Sequence, residues 1–197
     1  DVDIKILDIN TIKQNYPIMN TKDLKGGVLM PGDGAADPSG VTHMLAKAAR
    51  KGGAKIFEQS PVENVLTKNG RVHGVKVDGK IIECEYVVLA TGMWSRQIGE
   101  KIGVSIPLYP AEHFYVITEP IENLSPTLPV IRDFDSSTYI KEDAGKLLIG
   151  IFEGKSIPAF NKTNKVPEDF SFGEFPENFD HFEPYLEKSI KRFPILE

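Results

Sequence analysis

A chain of 197 residues is long enough to bury a core but short for two complete domains. A formal net charge of −5 at pH 7 argues against a general nucleic-acid surface. The lone Cys84 excludes an internal disulfide framework, and no apolar run approaches the roughly 20 residues of a membrane span. The chain starts at Asp1 with no signal-peptide pattern, which reads as a piece of something longer.

Asp1 to Asp8 alternates apolar and polar residues, a weak strand, and Asn10 or Thr11 is the predicted cap of a short helix ended by Pro17. Gly26 to Pro31 reads as a strand stopped by proline. Asp37-Pro38 then gives a helix N-cap with proline at the first helical position. That helix carries Val41, Leu45, Ala48 and Ala49 on one stripe, and Gly52-Gly53 stops it. Short strands are predicted at Ala54 to Phe57, Val62 to Thr67, Arg71 to Val77 and Lys80 to Cys84. Asn69-Gly70 and Asp78-Gly79 mark type I′ hairpin turns among them.

The apolar run Tyr86 to Leu89 predicts a short strand buried on both faces. Ala90, Thr91 and Gly92 then permit a tight turn, and Ser95 is the predicted cap of a helix to Ile102. Such a corner presents backbone N–H groups that a phosphate or flat cofactor can approach closely. Pro107 to Thr118 is a long strand candidate. Tyr139 to Lys141 and Leu147 to Phe152 flank a hairpin, and 157–177 reads as an ordered surface loop. Asn178 to Arg192 is an amphipathic helix with Phe179, Phe182, Leu186 and Ile190 on one face, closed by Phe193-Pro194. No HExxH or cysteine pair accompanies His43, His73 or His181, and no Gly-x-Ser-x-Gly elbow surrounds a serine, so neither metal binding nor nucleophilic hydrolysis is predicted.

Taken together, several motifs carry a resemblance. They are Gly27 to Gly34 with Asp37-Pro38, Ala54 through Val62, Ala90 to Ser95 and Glu112 to Thr118. Ile131 to Asp133, Tyr139 to Glu142 and Leu148 to Glu153 complete the set. In order and spacing the chain resembles the flavin-dependent dimethylglycine and sarcosine dehydrogenases, amine oxidoreductases shaped like D-amino acid oxidase. The resemblance implies a mixed α/β and α+β fold: part of an FAD-binding Rossmann-type domain with a β-meander, plus an antiparallel-sheet substrate domain. Residues 1–36 would form a lead-in and substrate-domain strand, 37–106 the FAD segment and 107–197 the substrate domain. It further implies hydride transfer from an N-methylated glycine to FAD, with tetrahydrofolate a possible one-carbon acceptor in the full-length protein. His113 and Tyr139 match the family's active-site pair, with Tyr115 a secondary candidate on the face of His113. Val62, Ala90, Gly92 and Trp94 match positions that line the flavin, the Val62 side chain being expected in the core. No G-x-G-x-x-G with a following acidic residue is present. The pyrophosphate grip is therefore expected upstream of Asp1, and the closing flavin-domain elements beyond Glu197. A small-molecule substrate and the remaining segments of the parent chain are the expected partners. A glycine or proline oxidase of the same architecture, and a non-catalytic regulatory relative, stay open. So do the electron acceptor and the compartment.

Overall fold

The computed structural model describes residues 2–197; Asp1, at the head of the first predicted strand, lies outside the described residues. In chain order the elements are β1 (Lys5–Leu7), α1 (Ile9–Asn15), β2 (Gly27–Leu29) and α2 (Pro38–Lys51). Then come β3 (Val62–Lys68), β4 (Arg71–Val77), β5 (Lys80–Glu83), α3 (Ser95–Lys101) and β6 (Tyr115–Ile117). The chain continues through β7 (Ile131–Asp133), β8 (Thr138–Asp143), β9 (Lys146–Ile151) and α4 (Phe179–Arg192). This is a mixed α/β chain whose described sheets are antiparallel. It divides into two compact units. One holds the chain up to Ala36 with His113–Ser156 and Glu174–Glu197; the other holds Asp37–Glu112 and Ile157–Gly173.

In the first unit the sheet runs β6-β9-β8-β7. Side chains alternate across a strand, so Leu147, Ile149 and Ile151 of β9 share a face with Ile140 of β8. That face packs on Phe182 of α4, on Phe193 and on Tyr16 to form the core. Burial, then the charge of Glu142, pushes the Tyr16 phenol up to about 12. The C-terminal end of α4 is tied down by Arg192. Its guanidinium donates to Asp133 (2.9 Å), to both oxygens of Asp23 (2.6 and 3.0 Å) and to the Asn20 carbonyl (2.7 Å). Only 8% of the Arg192 side chain is exposed, so these acceptors replace water around a buried cation. Of the predicted α4 face, Phe182 is buried and Leu186 and Ile190 are half-buried, with Tyr185 and Ser189 beside them, while Phe179 faces solvent. The cap of α1 lies at Asp8, which accepts from the Thr11 N–H, and not at Asn10 or Thr11: a carboxylate three positions back reaches an orphan amide.

In the second unit Asp37 caps α2 by accepting from the Ser39 and Gly40 N–H groups, with Pro38 at the first helical position. The meander β3-β4-β5 turns at Asn69-Gly70 and Asp78-Gly79, with positive φ at all four residues, as type I′ turns require. Four predictions fail here. Tyr86 to Leu89 is not a strand; Tyr86 is 85% and Val88 88% exposed, because no described strand pairs with this run. Ala54 to Phe57 forms no strand for the same reason. The α2 stripe is exposed, with no buried residue in that helix. Val62 is 46% exposed rather than core, and Val65 is the buried residue of β3. Pro107 to Thr118, which crosses from this unit into the first, is a strand only over Tyr115–Ile117, with an isolated bridge at Ala111; prolines at 107 and 110 supply no amide to a ladder.

Candidate active site

The register of the four-stranded sheet sets the site. Tyr115 of β6 and Tyr139 of β8 both lie directly opposite Gly150 of β9, and Arg132 of β7 lies opposite Tyr139. Residues directly across a ladder share a face. This row therefore occupies the face away from the core residues Ile140 and Ile149. His113 precedes β6 by two residues and joins the row. Its Nε2 lies 3.2 Å from the Tyr139 hydroxyl, with the rings nearly parallel at 7° and centroids 6.0 Å apart. Phe152, next but one after Gly150 on β9, packs its ring 5.3 Å from that of Tyr139 and 6.5 Å from that of His113. The Arg132 guanidinium sits 5.0 Å over the Phe152 ring, a cation–π contact.

The second nitrogen of His113, Nδ1, lies 3.5 Å from the Glu153 carboxylate, whose side chain is only 4% exposed. Glu153 also accepts from the Phe114 N–H at 3.4 Å. The Tyr139 phenol is raised above its ordinary value, by burial first and then by the charges of Tyr115 and Glu153, against a lowering from Arg132. A buried acid, an imidazole and a phenol thus form a chain, Glu153–His113–Tyr139, on one sheet face.

Structure brings together the pair that the sequence singled out, and Tyr115 joins the same row. Glu153, Phe152 and Arg132 had no assigned part. The signal for Phe152 lay in its position just past β9, where the next-but-one residue after Gly150 faces the same side. The four positions matched to the flavin lie in the second unit. Val62 pairs with Val77 at the start of β3. Ala90 and Gly92 are exposed, and Gly92 has φ 53 with open space beside its Cα. The Trp94 indole N–H donates to the Pro167 carbonyl at 2.9 Å. Ser95 begins α3 instead of capping it; its hydroxyl is 2.9 Å from that of Thr91, and a 3-10 turn at Gly92–Trp94 leads in. Ladder partners of Val62 belong to the meander, whereas polar contacts of the turn go to the 157–173 loop. Small exposed residues at Ala90 and Gly92 fit close approach by a flat ring, and no metal-binding cluster of acidic, histidine or cysteine side chains exists among the described residues.

The family model described as FAD dependent oxidoreductase matches residues 1–197. The chain belongs to the FAD-dependent oxidoreductase family. It is 38% identical over 184 residues to 4-methylaminobutanoate oxidase (formaldehyde-forming) of Paenarthrobacter nicotinovorans, covering 93% of this chain and 22% of that protein. It is 35% identical to the mitochondrial pyruvate dehydrogenase phosphatase regulatory subunit of Mus musculus (98% and 22%). Human mitochondrial sarcosine dehydrogenase is 34% identical (100% and 21%). Among solved structures, L-proline dehydrogenase from P. horikoshii superposes with a TM-score of 0.80 at 27% identity, over 99% of this chain and 49% of that one. This FAD-dependent oxidoreductase chain thus spans about a fifth of the length of its curated relatives. No described helix is long and apolar enough to cross a membrane.

Proposed function

We propose that the full-length protein oxidises an N-methylated glycine, sarcosine or dimethylglycine, with FAD as cofactor. The observation that carries this reading is the His113–Tyr139 pair, 3.2 Å apart on an open sheet face and backed by buried Glu153. Relatives named for sarcosine and for a methylaminobutanoate support the substrate class. FAD, when bound, supplies the acceptor for a hydride from the carbon beside the substrate nitrogen. Val62, Ala90, Gly92 and Trp94 are the residues of this chain that would hold it.

Glu153 faces Nδ1 of His113 and favours a proton there, which leaves Nε2 to accept the Tyr139 O–H. Through that hydroxyl, Nε2 receives the proton of the substrate ammonium, so the amine meets the acceptor as the free base. Tyr139 and His113 also fix the amine's orientation, which puts its methyl carbon in reach. Water addition to the resulting iminium gives formaldehyde and the demethylated amine. Transfer of the one-carbon unit to tetrahydrofolate in the parent protein is part of the proposal, and added tetrahydrofolate should lower the formaldehyde yield.

The test is anaerobic flavin bleaching of the intact flavoprotein by sarcosine, dimethylglycine, glycine and proline. His113→Ala should slow bleaching by the N-methylated substrates by about a hundredfold, the lower range for losing a positioned acid–base group. Unchanged bleaching would remove His113 from the site. The likeness to a phosphatase regulatory subunit favours a second reading, a binding role without turnover. A flavin that no amine bleaches would select it.

A further inference from the structure

Tyr139 stands on β8 and His113 leads into β6, yet β9 lies between those strands. Adjacent strands run about 4.8 Å apart, so the phenol must cross the full width of β9 to reach the imidazole. The crossing falls on Gly150, the ladder partner of both Tyr139 and Tyr115. A Cβ built at this position would overlap Cζ, Cε1 and the hydroxyl oxygen of Tyr139. Backbone conformation does not call for glycine here, because Gly150 is absent from the positive-φ residues. A glycine inside a strand weakens it and usually marks a close approach. Space for the Tyr139 ring is what the missing side chain provides.

We propose that Gly150 is a positioning residue: its bare backbone is the floor over which the Tyr139 ring lies to bring its hydroxyl to His113. Any side chain at 150 lifts the ring off the sheet and breaks the pair. The catalytic consequence rests on the function proposed above; the placement of the ring does not.

The experiment uses the intact flavoprotein with Gly150→Ala, Tyr139→Ala and the double substitution. Two quantities are read: the rate of flavin reduction by sarcosine, and the alkaline titration of the Tyr139 phenol, isolated by difference from Tyr139→Phe. Gly150→Ala should slow reduction by roughly threefold to tenfold, the effect of losing one hydrogen bond between neutral groups. It should also return the phenol toward the ordinary value near 10. In the Tyr139→Ala background, Gly150→Ala should change the rate by less than about twofold, the margin of an uncoupled site. Should Gly150→Ala alone fail to fold, recovery of folding in the double variant supports the proposal. An unmoved phenol titration overturns it, as does an equal rate loss in both backgrounds or a double variant that stays unfolded. A moved phenol with an unchanged rate upholds the floor and instead defeats the proposed function.

Discussion

The two units treat their apolar residues differently. In the first, one sheet face is sealed: Ile140, Leu147 and Ile151 are fully buried and Ile149 nearly so, with Phe182 and Phe193 supplied by the C-terminal segment of the same chain. In the second, α2 buries nothing, β5 is exposed along its length, and Val65, Ala159 and Val166 are the buried hydrophobic residues among those described. Both units have regular helices and hairpins. Local structure therefore does not depend on a sealed face here, whereas fixed side-chain packing does. The candidate pair His113–Tyr139 sits in the sealed unit, on the sheet face opposite the core, where a rigid backing can hold two rings in register.

Core truncation tests this contrast most severely. Phe193→Ala should cost about 3–5 kcal/mol of stability, the usual range for an emptied aromatic site. Leu45→Ala on α2 should stay within about 0.5 kcal/mol, as surface substitutions do. Urea unfolding of the 197-residue chain measures both. Comparable losses would break the distinction between the units.

The same contrast explains what could be read from the sequence. Asp37-Pro38, Gly52-Gly53, Asn69-Gly70 and Asp78-Gly79 each act within a few residues, and each forms as predicted. Tyr86 to Leu89 needs a ladder on either side, and its pattern states only that it is apolar. His113 and Tyr139 were legible through resemblance, since motif order carries across relatives. Glu153 and Gly150 matter through register: which strand lies between β8 and β6 is a property of the sheet order, which no local window reports.

Arg192 sharpens the comparison next. Arg192→Met leaves Asp133 buried without its cation and should cost about 3–5 kcal/mol, as for other broken buried pairs. Its acid dependence has a definite sign. Burial alone would raise the Asp133 carboxyl, but hydrogen bonds from Arg192 and Ser136 outweigh it and hold the carboxyl below its usual range. A depressed carboxyl pKa contributes stability above the unfolded value of about 3.9, and that stability is lost as pH falls through the folded value. Asp133→Asn should therefore shrink the stability lost on acidification below about pH 4. Glu63 in the second unit is also lowered, by hydrogen bonds from Lys76 and the Gly79 N–H, so the sign is the same. Both partners of that pair are exposed, however, and Glu63→Gln should leave the acid limb of a thermal-melt series nearly unchanged.

Turns provide the smallest and most discriminating test. The open meander uses Asn-Gly and Asp-Gly, whereas the β8–β9 hairpin of the sealed unit turns at Ala144-Gly145, with Ala144 at φ 51. An alanine in that left-handed region is strained by about 1–2 kcal/mol, and asparagine is strained less. The sealed unit can carry this cost because packing fixes its register: a one-residue slip would turn Ile149 and Ile151 onto the open face. The meander has no such lock, so its register rests on the turns themselves. Ala144→Asn should accordingly raise stability by about 0.5–1 kcal/mol without changing hydrogen exchange across β8 and β9. Asn69→Ala should instead loosen β3 against β4, seen as faster exchange at the Leu66 and Gly74 amides, a directly opposed pair that faces across this ladder. If Asn69→Ala leaves those amides protected, packing and not turn chemistry sets register in both units.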